Sequence, residues 1–249
     1  MIMRRFAKLL MLLVCLLFSV TAVQAKVFLV AVGVADYPGS ENDLNYPVTN
    51  ARSIANAYQS QDPDLVCVRL YNSEATVKNI LSTVRRVFAQ ASKNDIVVLF
   101  FSGHGSEGGF YAYDGSLSYA DLRKAMAKSK SRYKMIFADT CHAGTLRSNK
   151  GKSHKGDAAS ARKANVMLFL SSRDNEYSWE GGSIGQGFFS AYLKRALSGE
   201  ADVNGDRIVT AKELYDFVHD GVVEYSSGRQ HPVMWGKFSK NMPVIRLNK

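Results

Sequence analysis

The chain has 249 residues, of which 46% are hydrophobic, 11% aromatic and 22% charged, a composition that excludes disordered and collagen-like classes and supplies enough apolar material for a packed core. The formal charge is +10, but the basic residues are scattered and form no dense block interleaved with aromatics, so nucleic acid is not an expected partner. Three cysteines without a C-x-x-C pair exclude a disulfide scaffold and give no sign of a structural zinc site.

Residues 1–25 read as a secretory signal peptide. Arg4, Arg5 and Lys8 precede an apolar run over 9–23 that leads into Val23-Gln24-Ala25, and the run is shorter than the roughly 20 residues of a membrane span. Val14 before Cys15 does not fit a lipid-acylation site. Cleavage after Ala25 leaves one domain over 26–249, secreted or periplasmic, with no membrane attachment and with Cys67 and Cys141 as its thiols. An unpaired thiol in an oxidising compartment is unusual unless it has chemistry to perform.

Along that domain, apolar runs alternate with amphipathic stretches. The run 27–34 is continuous and rich in β-branched residues, as a strand buried on both faces should be. A helix is predicted over 48–58, a second strand over 65–71, and a helix over 76–91 with Val77, Ile80, Leu81, Val84 and Phe88 on one stripe. The run 96–101 is the strongest strand in the sequence. A short helix over 119–127 is capped by Ser118, and a further strand follows over 133–138. The stretch 147–163 has no apolar period and reads as an exposed linker. A strand over 166–170, helices over 188–197 and 214–223, and an edge strand over 243–247 complete the chain. The order β-α-β-α-β-α-β predicts an α/β fold with a mostly parallel sheet flanked by helices on both faces, and a ligand site at the carboxyl ends of its strands.

Two of those strand ends carry reactive residues. The run 96–101 leads into Ser102-Gly103-His104-Gly105, and the run 133–138 into Asp139-Thr140-Cys141-His142-Ala143-Gly144. If the two strands are neighbours, about 5 Å apart, His104 and Cys141 face each other. A thiol with a free pKa of about 8.5 needs such a base to become a nucleophile. The glycines beside His104 allow close backbone approach, and the N–H groups of Gly105 and Cys141 could meet a developing oxyanion. Cys67, inside strand residues, reads as packing. A zinc site made of His104, Cys141 and His142 is not expected, because adjacent residues diverge.

These two motifs, in this order, resemble the caspase and metacaspase cysteine peptidases. The likeness extends to Ala31-Val32-Gly33-Val34-Ala35-Asp36-Tyr37, to Leu44-Asn45-Tyr46-Pro47-Val48-Thr49-Asn50-Ala51, and to Glu176-Tyr177-Ser178-Trp179-Glu180 followed by Gly187-Phe188-Phe189. The resemblance implies a caspase-like fold with Cys141 as nucleophile and His104 as general acid/base. It also implies a pocket holding Asp139 and Ser102 for the residue before the scissile bond, where a carboxylate favours Arg or Lys. Asn50 stands where metacaspases carry a second acidic residue. The partners implied are protein or peptide substrates, and 147–163, with six basic residues, is implied as a self-processing linker. Two other classes share these residues: a silent caspase-like binding module and a dyad acyl-transfer enzyme such as a transpeptidase.

No cofactor is required by this chemistry. Asp202, Asn204, Asp206, Thr210 and Glu213 fall on the spacing of a calcium-binding loop, but Arg207 occupies the position that needs glycine. The favoured reading is a polar turn in which Thr210 and Glu213 form a capping box. The sequence leaves the oligomeric state open.

Overall fold

The computed structural model describes residues 25–106, 108–140, 165–173 and 176–248. In chain order its elements are β1 (Val27–Gly33), α1 (Pro47–Gln61), β2 (Val66–Tyr71), α2 (Val77–Phe88), β3 (Ile96–Ser102), β4 (Gly105–Ser106), β5 (Gly109–Ala112), β6 (Gly115–Ser118), α3 (Tyr119–Met126), β7 (Tyr133–Asp139), β8 (Val166–Leu170), β9 (Glu180–Gly181), β10 (Gln186–Gly187), α4 (Phe188–Arg195), β11 (Ile208–Thr210), α5 (Ala211–Tyr225), β12 (Val233–Trp235) and β13 (Pro243–Arg246).

Six strands make the central sheet in the order β12-β8-β7-β3-β1-β2. All neighbours are parallel except β12, which runs antiparallel to β8. The continuous apolar runs in β1, β3, β7 and β8 have a simple cause, since both faces of each strand are covered. Leu29, Ala31, Val98, Phe100, Met135 and Phe137 pack on the face of α1, α4 and α5, among Ile54, Tyr58, Phe189, Leu193, Leu214 and Val218. Val30, Val32, Val97, Leu99, Phe101 and Ile136 pack on the opposite face against Ile80, Val84 and Phe88 of α2 and Leu122 of α3. The expected α/β sheet with helices on both faces is therefore found.

The caps follow the sequence. Thr76 accepts from Asn79 N and Ser118 from Asp121 N, each at 3.1 Å. Thr210 and Glu213 form the expected capping box, with the Glu213 carboxylate accepting from Thr210 N at 2.9 Å. This box starts α5 at Ala211, three residues before the apolar periodicity begins. In the preceding turn Asp202 accepts from the backbone N–H groups of Gly205 and Arg207, and Arg207 itself adopts a left-handed φ of 65°. Among the described residues no group of three or more His, Cys, Asp or Glu is placed to hold a metal ion, and no helix is long and apolar enough to cross a membrane.

One strand lies elsewhere than expected. The 243–247 stretch does form β13, but β13 pairs antiparallel with β11 and not with the main sheet. Its Val244 and Ile245 are fully buried beside α1 and α5, a position that an edge assignment from hydrophobicity alone could not supply. The edges of the main sheet are β12 and β2. Cys67 is half-buried on edge strand β2, its thiol pKa pushed up by burial, and it packs against the apolar cluster as expected of a structural residue.

Candidate active site

Strand β1 has β2 on one side and β3 on the other, so the chain reverses its direction of sheet growth at β1. In such sheets the crevice lies at the carboxyl ends of the strands beside that reversal. Here β3 and β7 are adjacent and in register, Ser102 opposite Asp139, which puts both polar motifs at the same end of the sheet.

His104 is held by two backbone features and one ring. Its Nε2 lies 2.8 Å from the carbonyl oxygen of Asn42. A carbonyl only accepts, so Nε2 is the nitrogen that donates in this contact. The His104 backbone N–H donates to the Tyr37 hydroxyl at 2.9 Å, and that hydroxyl donates to the Tyr111 carbonyl at 3.0 Å. The Tyr37 ring lies 4.8 Å from the imidazole. Burial, against a smaller opposing effect of the His104 hydrogen bond, pushes the Tyr37 hydroxyl up to about 12, so it stays protonated and serves as both donor and acceptor. Gly103 is required by this approach: a Cβ there would sit 2.6 Å from the Tyr37 oxygen.

Asp139 ends β7 and is buried at 6% exposure. Its Oδ1 accepts from Ser178 Oγ at 2.9 Å, and its Oδ2 accepts from Ser190 Oγ at 2.6 Å and Ser190 N at 3.2 Å. Burial raises its pKa, with the Ser190 and Ser178 hydroxyls and the Ser190 N–H acting in the opposite direction. Asn50, on α1, bridges neighbouring groups: its Nδ2 donates to Ser102 Oγ and its Oδ1 accepts from Gly187 N, both at 3.1 Å. Gly187 fits because it lacks a side chain. A Cβ there would lie 2.2 Å from Asp139 Oδ2.

Glu180 stands opposite Gly187 in the β9–β10 pair. Directly opposed residues share a face, so Glu180 leaves its strand on the side where Gly187 meets Asp139. Burial and then the Asp139 charge push the Glu180 carboxyl up.

Behind the strand ends, Ser171 clamps the residue that precedes Cys141. Its hydroxyl accepts from Thr140 N at 3.1 Å and donates to Thr140 O at 2.9 Å. Gln230, fully buried, donates to Ser171 O at 2.9 Å and accepts from Trp179 N at 2.9 Å. The Arg229 guanidinium covers the Trp179 ring at 4.0 Å.

Of the residues singled out by sequence, Asn50, Ser102, His104, Gly105 and Asp139 are gathered at this one end of the sheet. Cys141 and His142 lie outside the described residues, as do the linker expected over 147–163 and all of the leader expected over 1–25 except Ala25. Sequence reasoning missed Tyr37, Asn42, Ser171, Ser178, Glu180 and Ser190 as parts of the site. Ser178 and Glu180 belong to a family-like motif that by itself assigns them no role, whereas Asn42 acts through a backbone carbonyl that leaves no trace in side-chain identity.

A family model described as the caspase domain matches residues 26–243. Among solved structures, the crystal structure of protein GSU0716 from Geobacter sulfurreducens is similar with a TM-score of 0.63 at 18% identity, over 86% of this chain and 94% of that one, a likeness of fold. No curated protein matches the sequence.

Proposed function

Since the chain belongs to the caspase-domain family of cysteine peptidases, we propose that it is an endopeptidase in which Cys141 is the nucleophile and His104 the general acid/base, cutting after Arg or Lys. The observation that carries this reading is the His104 geometry: Nε2–H is fixed on the Asn42 carbonyl, so Nδ1 is the atom free to exchange protons. Strand β7, in register with β3, the strand that leads into His104, is followed two residues beyond Asp139 by Cys141.

In the acylation step Nδ1 takes the Sγ proton, the thiolate attacks the scissile carbonyl carbon, and the N–H groups of Gly105 and Cys141 receive the oxyanion. The imidazolium then protonates the departing amine, leaving a thioester. Nδ1 next deprotonates a water molecule that attacks the thioester, and the thiol recovers its proton as the acid product leaves. The Asn42 carbonyl stabilises the charged ring at both stages. No cofactor takes part.

The basic preference is supported by Asp139, a carboxylate buried with three hydrogen bonds and no cation beside it among the described residues. Ser102 and Asn50 line the same place. Asn50 is neutral, and Glu180 supplies the second carboxylate. Removal of 1–25 and action outside the cytoplasm belong to the same reading, as does self-processing in 147–163.

The test is hydrolysis of fluorogenic peptides that differ only in the residue before the cleavage point. The native chain should cleave those with Arg or Lys. Cys141→Ala should abolish turnover, and His104→Ala should lower it by about 10²- to 10⁴-fold. Full activity in Cys141→Ala would end the proposal.

A further inference from the structure

A cavity of about 590 Å³ opens at His104, between the loop that follows β1 and the β5–β6 hairpin. None of Asn50, Asp139, Ser178, Glu180 or Ser190 lines it, so it is a separate space from the acidic pocket around Asp139. Its walls include Tyr37, Tyr111, Tyr113, His104 and Asp114. Tyr111 is 46% exposed. Asp114 is exposed; its Oδ1 accepts from Val77 N at 2.7 Å, and its second oxygen has no partner among the described residues. Among the described residues no lysine or arginine faces the cavity.

The peptidase reading gives this space a chemical position, and the role assigned to the cavity rests on that reading. When the tetrahedral intermediate collapses, the imidazole proton passes to the departing nitrogen, so that nitrogen must come within hydrogen-bond reach of His104, about 2.6–3.2 Å. The first residue of the leaving segment therefore begins beside Nδ1 of an imidazole that itself lines this cavity. Aromatic faces with a single carboxylate at the rim are the surroundings that attract a cation. We infer that the cavity is the subsite for the residue that follows the scissile bond, and that it takes a basic side chain. With Asp139 on the other side of the reacting bond, the preferred substrate is then a pair of basic residues cut between them.

The deciding measurement uses the full chain carrying Cys141→Ala and fluorescent peptides with Arg before the bond and Lys, Ala or Asp after it. Fluorescence anisotropy should find the Lys peptide bound about threefold to fivefold more tightly than the Ala peptide, the effect of one partly exposed ion pair, and the Asp peptide weakest. Adding Asp114→Asn keeps the acceptor for Val77 N and should bring the Lys-to-Ala ratio close to one. Equal affinity for the three peptides, no measurable binding, or a Lys preference that survives Asp114→Asn would each overturn the subsite. Failure of the native chain to hydrolyse any of these peptides would instead count against the peptidase reading, while the binding ratio still decides the subsite.

Discussion

Replacing Asp139 with Asn removes the carboxyl from the proposed pocket for Arg or Lys at almost no change in volume. The hydrogen bonds can survive: the amide oxygen accepts from Ser190 N and Oγ as Oδ2 does now, and the amide nitrogen donates to Ser178 Oγ once that hydroxyl rotates. Removing one partner of a desolvated charge pair costs about 2–5 kcal/mol, so kcat/KM on Arg substrates should fall about 30-fold to several thousand-fold. Stability should move the other way. Burial raises the Asp139 pKa in the folded state, so its contribution to stability is complete below the unfolded carboxylate range and is lost as the pH climbs through the raised folded value. Above the unfolded carboxylate range the native protein bears a desolvation cost at this carboxyl that the variant does not. Asp139→Asn should therefore melt at or above the native temperature at pH 7, and the native protein should gain on it as the pH falls through the carboxylate range. Peptide kinetics paired with thermal melts at pH 7 and pH 4 test both halves. A variant that cleaves Arg substrates within threefold of native, or one that melts lower at pH 7, refutes the reasoning.

Gly187→Ala would place a methyl 2.2 Å from Asp139 Oδ2 and 3.1 Å from Asn50 Nδ2. It should destabilise the chain by about 1–3 kcal/mol and depress activity, as urea melts and peptide kinetics would register. Tyr37→Phe removes the acceptor for His104 N and the donor to Tyr111 O. We expect kcat to fall about tenfold, equivalent to one hydrogen bond of about 1 kcal/mol or slightly more, with KM less affected; an unaltered kcat would show that this hydroxyl does not position the imidazole. In active preparations, mass spectrometry should find cleavage after one or more of Arg147, Lys150, Lys152, Lys155, Arg162 and Lys163, and an intact chain in Cys141→Ala. An active protein whole between Ala143 and Asn165 would refute self-processing alone.

The parts of the fold that can be read from sequence are those whose burial is recorded in the residues themselves. Strands β1, β3, β7 and β8 are apolar on both faces, and the caps at Thr76, Ser118 and Thr210 use side chains. The sequence makes the meeting of His104 and Cys141 conditional on β3 and β7 being neighbours, and the two strands are adjacent and in register. Strands β4 to β6, the β9–β10 pair and β12 are not legible. They are two to four residues long, too short for alternation to rise above chance, and their pairing depends on where the turns place them. The placement of β13 depends on tertiary packing against β11. Within the site, Asp139 and Asn50 are legible as types, but the Ser190 and Ser178 hydroxyls that satisfy Asp139 are ordinary serines until the fold brings them there.

The pairing of β7 with β8 runs from Lys134 opposite Val166 to Ala138 opposite Leu170, and the chain between them is the segment proposed for cutting. The site itself straddles that join. Asn50, Ser102, His104 and Asp139 precede it, while Ser171, Ser178, Glu180, Gly187, Ser190 and Gln230 follow it, and the Ser190–Asp139, Gly187–Asn50 and Ser171–Thr140 hydrogen bonds cross from one side to the other. A single nick there converts an intramolecular pocket into a noncovalent heterodimer whose pocket is shared between two polypeptides. Neither piece alone holds both a base and the groups that satisfy Asp139. Activity after cutting thus acquires a concentration dependence that the uncut chain lacks, and dilution can extinguish it without any further chemistry.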